Sequence, residues 1–429
     1  MKIRLLSAAL LGLLVSACSD ETIVSVAVPS GTPGVERLIE IDATPVVADH
    51  GTSLSITAPD GTRLPYQITS DGLLLFPANV AGGTEAVYTI TSSDDVVAMD
   101  TIAVAQLRPD KQDDLAWEND HGGYRLYGPL YHRDGGPVRG YDVWTKSVAY
   151  PVLAKRYDDD HKGISYHVDH GDGMDPYTVG PTLGAGLAAP IDSAGNFVYP
   201  VGYRKAEIVD NGPLRLTVRL DIDPIVVDGD SVVETRVISL DRGAWLNRTT
   251  VSYSGLTHPV TLAQGIVVHK QNPEVYRIDN EAKIVTYDDL TDNAEAGNGT
   301  IYIGVSAQDA DSLVYRPLSE PAGDALGHVM ALSTYHPDDE PHTYYWGAGW
   351  SKGGVDSPEH WDTLVSGDMA SIKAAPTVTV SKAGLSVEDI FKYIIGLGAA
   401  VMMPVIFTLL GLCIGIHSPS NVKMTGIMT

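Results

Sequence analysis

Ten consecutive residues, Tyr166-His167-Val168-Asp169-His170-Gly171-Asp172-Gly173-Met174-Asp175, hold two imidazoles and three carboxylates. If Tyr166 to His170 run as a strand, His167 and Asp169 share one face while Tyr166 and His170 share the other, so all five cannot meet one ion. A turn at Gly171 to Gly173 folds Asp172 and Asp175 back toward His170, an oxygen and nitrogen set suited to Ca²⁺ or another divalent metal. The same segment also reads as an Asp/Gly-rich turn whose histidines pair with neighbouring aspartates.

A second group is cationic and phenolic: Lys146, Lys155, Arg156, Tyr157, Tyr203, Arg204 and Lys205. An acidic sugar needs such cations for its carboxylate. Elimination from a uronate needs them too, because neutralising the carboxylate makes the adjacent C–H acidic enough for a Tyr or His base. The bases at hand are Tyr157, His167, His170 and Tyr177, with Arg204 and Lys205 expected to hold the carboxylate. The alternative is surface pairing of these cations with Asp158, Asp159, Asp160 and Glu207. Aromatic side chains, foremost Trp117, Trp144 and Trp350, are candidates to stack on sugar rings. Glu118 and Asp142 are a candidate acid and base pair for hydrolysis, whose mechanism turns on a separation the sequence does not give.

The composition limits the partner. With 29 Lys+Arg against 54 Asp+Glu the net charge is −25, which argues against nucleic acid and against direct contact with anionic lipid. Only Cys18 and Cys413 are present, which excludes a thiol nucleophile or a cysteine zinc site in the folded body. There is no Gly-x-Ser-x-Gly elbow, phosphate-binding glycine loop or dinucleotide fingerprint. The chemistry above requires no cofactor.

The elements that must position these residues read as β-structure. Short alternating runs at 53–58, 64–69, 72–77 and 86–91 are separated by Asp60-Gly61, Asp71-Gly72 and Gly82-Gly83 turns, the pattern of a small antiparallel sandwich over 19–106. From Leu107 the strands lengthen, as in 214–222, 232–240, 246–254 and 260–269. In the second of these Val233, Thr235 and Val237 share a face, expected to pack, and Glu234 and Arg236 share the other, expected to meet water. A large antiparallel sandwich over 107–380 follows, so the chain is expected to be all-β, with one hydrophobic helix at the C-terminus.

The ends carry addresses. Lys2 and Arg4, an apolar run from Leu5 to Val15, and Val15-Ser16-Ala17-Cys18 make residues 1–18 a lipoprotein-type signal with Cys18 as the lipidated residue. An outer-membrane lipoprotein facing the periplasm or the outside is expected. Residues 381–429 read as a linker and a charge-free run, 393–416, longer than the roughly 20 residues a spanning helix needs. That helix implies inner-membrane retention if it is real, and the tail otherwise reads as a fusion or artefact. Its segment from Phe391 through Phe407 resembles the opening membrane segment of galactitol-type phosphotransferase sugar permeases.

The motifs Ala116-Trp117-Glu118-Asn119-Asp120, Tyr127-Gly128-Pro129, Gly140-Tyr141-Asp142-Val143-Trp144, His167 through Gly173, Val179-Gly180-Pro181, Asn211 through Arg215 and Tyr345 through Lys352 together resemble the bacterial family called domain of unknown function 4861, over roughly 23–380. Its members are often encoded beside enzymes degrading pectin and related uronate-rich polysaccharides, which implies a carbohydrate role by association. The sandwich also resembles in architecture the mutarotase-like super-sandwiches of aldose epimerases and some polysaccharide lyases. The expected function is action on acidic glycan fragments as a lyase or glycoside hydrolase. The alternatives are a non-catalytic glycan-binding or scaffolding lipoprotein and a mutarotase-type epimerase.

Overall fold

The computed structural model describes residues 21–290 and 294–383. Cys18, the run 393–416 and the permease-like segment lie outside them. Among the described residues no helix is long and apolar enough to cross a membrane.

Two compact units divide the described chain, one of residues 21–98 with 374–383 and one of 99–373. In the first, Thr22–Ala27 lies between Glu85–Ser92 and Thr377–Lys382 in a five-stranded antiparallel sheet, and Val35–Asp42, Leu73–Val80 and Gln67–Ile68 form a second sheet. Alternation explains the packing: in Thr22–Ala27 every second side chain is buried, and Val24 and Val26 join Ile39, Ile41, Phe76 and Ile90 in one core. The turn glycines Gly61, Gly72 and Gly83 have φ of 87°, 85° and 74°, the left-handed region that suits glycine. The boundary falls after Ala98, not near residue 106, and residues 377–382 are a strand of this unit because they pair with Thr22–Ala27 along its whole length.

The second unit is built from three antiparallel sheets. A nine-stranded sheet runs in the order Tyr203–Asn211, Arg215–Ile222, Asp230–Asp241, Leu246–Ser254, His342–Trp350, Thr300–Ser306, Ile284–Leu290, Arg277–Asp279, with Ile225–Val227 pairing Asp230–Asp241. A four-stranded sheet orders Ala185–Ile191, Val260–His269, Ala325–Tyr335 and Ser312–Ala322; another orders Asp142–Thr145, Gly122–Leu126, Asp114–Glu118 and Val104–Arg108. One apolar core draws on all three. The expected mostly antiparallel β architecture is therefore what the chain adopts.

One expectation inverts. Glu234 and Arg236 are 0% exposed, whereas Val233, Thr235 and Val237 are half-buried. Alternation identifies the two faces but counts both charges as wet. Arg236 Nε donates to Glu234 Oε1 at 2.6 Å, and this mutual neutralisation lets the pair face the core. Removing one partner strands the other charge. Arg236→Met should cost the second unit about 3–5 kcal/mol, while adding Glu234→Gln to it should recover most of that loss. Denaturation followed by fluorescence checks this, since all six tryptophans lie in that unit.

Candidate functional site

In the small sheet ending in Asp142–Thr145, the strands Asp114–Glu118, Gly122–Leu126 and Asp142–Thr145 are buried on both faces. Leu115, Trp117, Tyr124 and Leu126 enter the main core, while Ala116 and Trp144 pack with Leu153 and Tyr157 of the helix Leu153–Asp160. Gly123 makes room for that helix, because a Cβ there would stand 3.0 Å from Leu153 Cδ2. Glu118 holds the start of the helix: its carboxylate accepts from Val152 N at 2.9 Å and from Leu153 N at 2.8 Å, and Lys146 Nζ sits 2.8 Å away. A carboxylate there satisfies orphan amides and the helix dipole together.

Arg125 lies on the helix-covered face of this sheet, opposite Asp142 in register. Its guanidinium is buried 2.5 Å from Asp142 Oδ2 and 2.9 Å from Asp175 Oδ2, and donates to Tyr127 Oη at 2.7 Å. The rings of Tyr127, Trp144 and Tyr166 lie 4.5, 5.0 and 5.8 Å from its Cζ, cation–π distances. Two carboxylates on one guanidinium leave excess negative charge in a dry place. Burial, with Asp175 next, pushes the Asp142 carboxyl up to about 7, and burial pushes nearby Asp114 up to about 6.

Asp175 also anchors the turn that precedes it. Its backbone N donates to Tyr166 O at 2.8 Å, and Thr145 and Met174 exchange backbone bonds. The stretch from Tyr166 to His170 is a turn, not the strand considered from the sequence. Its donors are consumed locally: Asp169 Oδ1 accepts from Gly171 N and Gly173 N, and His170 Nε2 donates to Ser165 O at 3.0 Å. Gly173 has φ 107°, and a Cβ on it would stand 2.2 Å from Thr145 O, so only glycine lets the turn lie this close.

The turn presents His167, whose side chain is 60% exposed. Nδ1 lies 2.9 Å from Asp175 O and 3.7 Å from Asp175 Oδ2. A carbonyl only accepts, so Nδ1 carries the proton and Nε2 keeps its lone pair in the neutral ring. His167, Val168 and Asp169 line a cleft of about 520 Å³ with Glu295, Ala296 and Asn298. The arrangement offers a positioned base, its Nδ1–H held by a backbone carbonyl and its Nε2 free to take a proton.

Several expected site residues stand elsewhere. Tyr157 is buried, stacked on Trp144 at 5.0 Å, and burial pushes its hydroxyl far up; it cannot serve as the base. Tyr177 is buried against His269, its hydroxyl likewise raised by burial, and it does not line the cleft. His170 lines a separate hollow of about 10 Å³ with Lys155, Arg156 and Asp172, room for little more than a water. Trp117 is 1% exposed and donates to Asn247 Oδ1, and Trp350 is 2% exposed and donates to Asn298 O; neither is a sugar platform. Glu118 and Lys146 hold the helix, so they are not substrate contacts. Lys205 pairs with Glu207 on an exposed strand beside exposed Arg204, and neither lines the cleft.

Asp172 faces Arg156 and Lys155, and Asp175 faces Arg125. Carboxylates divided between different cations do not fit a divalent ion, and among the described residues no group of three or more potential ligands is arranged for one. The sequence reading missed Arg125, Glu295 and Asn298 as site residues. Only the alternation Gly123/Arg125 against Tyr124/Leu126 hinted that Arg125 faces the helix side.

Both raised carboxyls favour the protonated form in the folded chain. The folded chain therefore binds more protons than the unfolded one between the ordinary 3.8 and about 7, and stability falls as pH rises through that window. Asp142→Asn should flatten this fall relative to the parent chain, as read from denaturation midpoints between pH 4 and 8.

Among proteins of known sequence, this chain is 25% identical over 240 residues to a protein of Formosa agariphila described as uncharacterized protein P7, covering 53% of this chain and 60% of the relative. It thus spans less than two thirds of that relative's length. Among solved structures it is similar, at TM-score 0.45 and 8% identity, to a protein in glycosyl hydrolase family 38 from Enterococcus faecalis, over 85% of this chain and 48% of that one. An alpha-mannosidase from Enterococcus faecalis V583 is similar at the same TM-score and identity, over 85% and 46%. At this level no activity transfers. The family model for the domain of unknown function DUF4861 matches residues 29–378, and the chain belongs to that family.

Proposed function

We propose that the protein is a carbohydrate-active enzyme of the cell envelope that cleaves uronate-containing glycan fragments by elimination, with His167 as the base. The observation that carries this reading is the orientation of His167: Nδ1 is held by the Asp175 carbonyl 2.9 Å away, and the side chain lines an open cleft. In the reaction Nε2 takes the proton from the carbon beside the sugar carboxylate. The electron pair forms a carbon–carbon double bond, the glycosidic C–O bond breaks, and the leaving oxygen takes a proton from the His167 imidazolium, which restores the neutral base. Lipidation at Cys18, as an outer-membrane lipoprotein, belongs to the same proposal.

Glu118 and Asp142 do not make the acid/base pair that hydrolysis would need, because Glu118 caps a helix and Asp142 is buried against Arg125. Binding without catalysis loses its anchors, because Trp117, Trp144 and Trp350 are buried. The company that family members keep with pectin-degrading enzymes favours an acidic polysaccharide.

Incubation with polygalacturonate and other uronate oligosaccharides tests the reading through ultraviolet absorbance of an unsaturated product, with reducing-end release as control. The parent chain should form that product, and His167→Ala should lower turnover by about 10²-fold or more with an unchanged fluorescence melt. Reducing ends without absorbance would make it a hydrolase; no product from any uronide would overturn the reading.

A further inference from the structure

Elimination needs a cation at the sugar carboxylate, and among the described residues the lining of the cleft, His167, Val168, Asp169, Glu295, Ala296 and Asn298, contains no lysine or arginine. Nearby cations are engaged: Arg125 by Asp142 and Asp175, Arg156 by Asp172, Lys155 by Asp159, Lys111 by Asp160 and Lys146 by Glu118. Lys352 is not. It is exposed and makes no ion pair or hydrogen bond among the described residues.

Lys352 does not itself line the cleft, but the backbone brings its stem next to the lining residue Asn298. Trp350 Nε1 donates to Asn298 O at 2.8 Å, and Asn298 is part of the lining. Ser351 N donates to Thr300 O, and Thr300 N to Ser351 Oγ, each at 2.9 Å. Between these bonds lies Gly299, φ +86°, where a Cβ would stand 2.3 Å from Ser351 Oγ and 3.7 Å from Lys352 Cγ. The Lys352 stem thus lies beside the residue that follows Asn298. Its Nζ stands 5.7 Å from the Trp350 ring centroid, a cation–π contact that restrains the side chain while leaving its donors to solvent.

The geometry points to Lys352 as the residue that binds the carboxylate of an acidic sugar in this cleft, the role sought in Arg204 and Lys205. The inference rests on the reading of the cleft as a uronide site. Asp169 and Glu295 on the lining repel an acidic ligand, so the charge of Lys352 decides whether a uronate is accepted. A lysine ammonium serves one carboxylate as a point charge, and a charge-assisted bond of this kind accounts for about ten- to hundredfold in affinity.

Calorimetric binding of an oligogalacturonide and of its carboxyl-reduced, neutral counterpart tests this in the full chain and in Lys352→Gln and Lys352→Arg. The parent chain should prefer the acid by about ten- to hundredfold. Lys352→Gln should abolish the preference and Lys352→Arg should retain most of it. Equal binding of the acid by the parent chain and Lys352→Gln would overturn the assignment, and so would a parent chain that binds neither ligand. Loss of acid binding in Lys352→Gln without unsaturated product from the parent chain would support Lys352 and refute the elimination. Product from the parent chain with unchanged acid binding in Lys352→Gln would refute Lys352 alone.

Discussion

A guanidinium placed in a dry interior must be surrounded by charge and acceptors or the fold fails, and Arg125 imposes that condition on everything near it. Its strand position sets Asp142 across from it, and its remaining capacity reaches Asp175 and Tyr127. Asp175 is the last residue of the Gly-rich turn, so satisfying Arg125 fixes where that turn ends. Once the end is fixed, the Asp175 carbonyl is where the His167 imidazole finds its acceptor. Burying a charge is costly, and here the arrangement that offsets the cost also orients an exposed imidazole.

Much of the surrounding chemistry serves the same end. Glu118 and Lys146 look like substrate contacts in the sequence, yet they secure the helix that roofs Arg125, and Tyr157 on the underside of that roof stacks on Trp144 of the sheet below. Arg156 donates to Thr145 O and Asp172 O, tying helix, sheet and turn together.

The sheet architecture was legible because period-two alternation survives in most strands. It misled at 232–238, where alternation gave the two faces correctly and assigned the wrong one to water, since a mutually neutralised Glu234–Arg236 pair packs as core. The ten-residue segment was found from its composition, but its conformation was not. Asp169 capping two amides and Gly173 lying against Thr145 are tertiary and turn effects that strand periodicity does not register. Tyr157 and Tyr177 were indistinguishable from exposed phenols because burial depends on partners far along the chain. Arg204 and Lys205 stood out as a cationic cluster, whereas Lys352, a single lysine after an aromatic run, gave no such signal; only its proximity to Gly299 and Asn298 distinguishes it.

In the proposed elimination the Asp175 carbonyl holds His167 with its proton on Nδ1, leaving Nε2 as the base in the cleft. Long-range ¹H–¹⁵N correlation of the imidazole nitrogens, with His167 assigned by loss of its signals in His167→Gln, reads the tautomer directly. A protonated Nδ1 and an unprotonated Nε2 are expected in the neutral ring; a neutral ring carrying its proton on Nε2 would rule out this role for the Asp175 carbonyl.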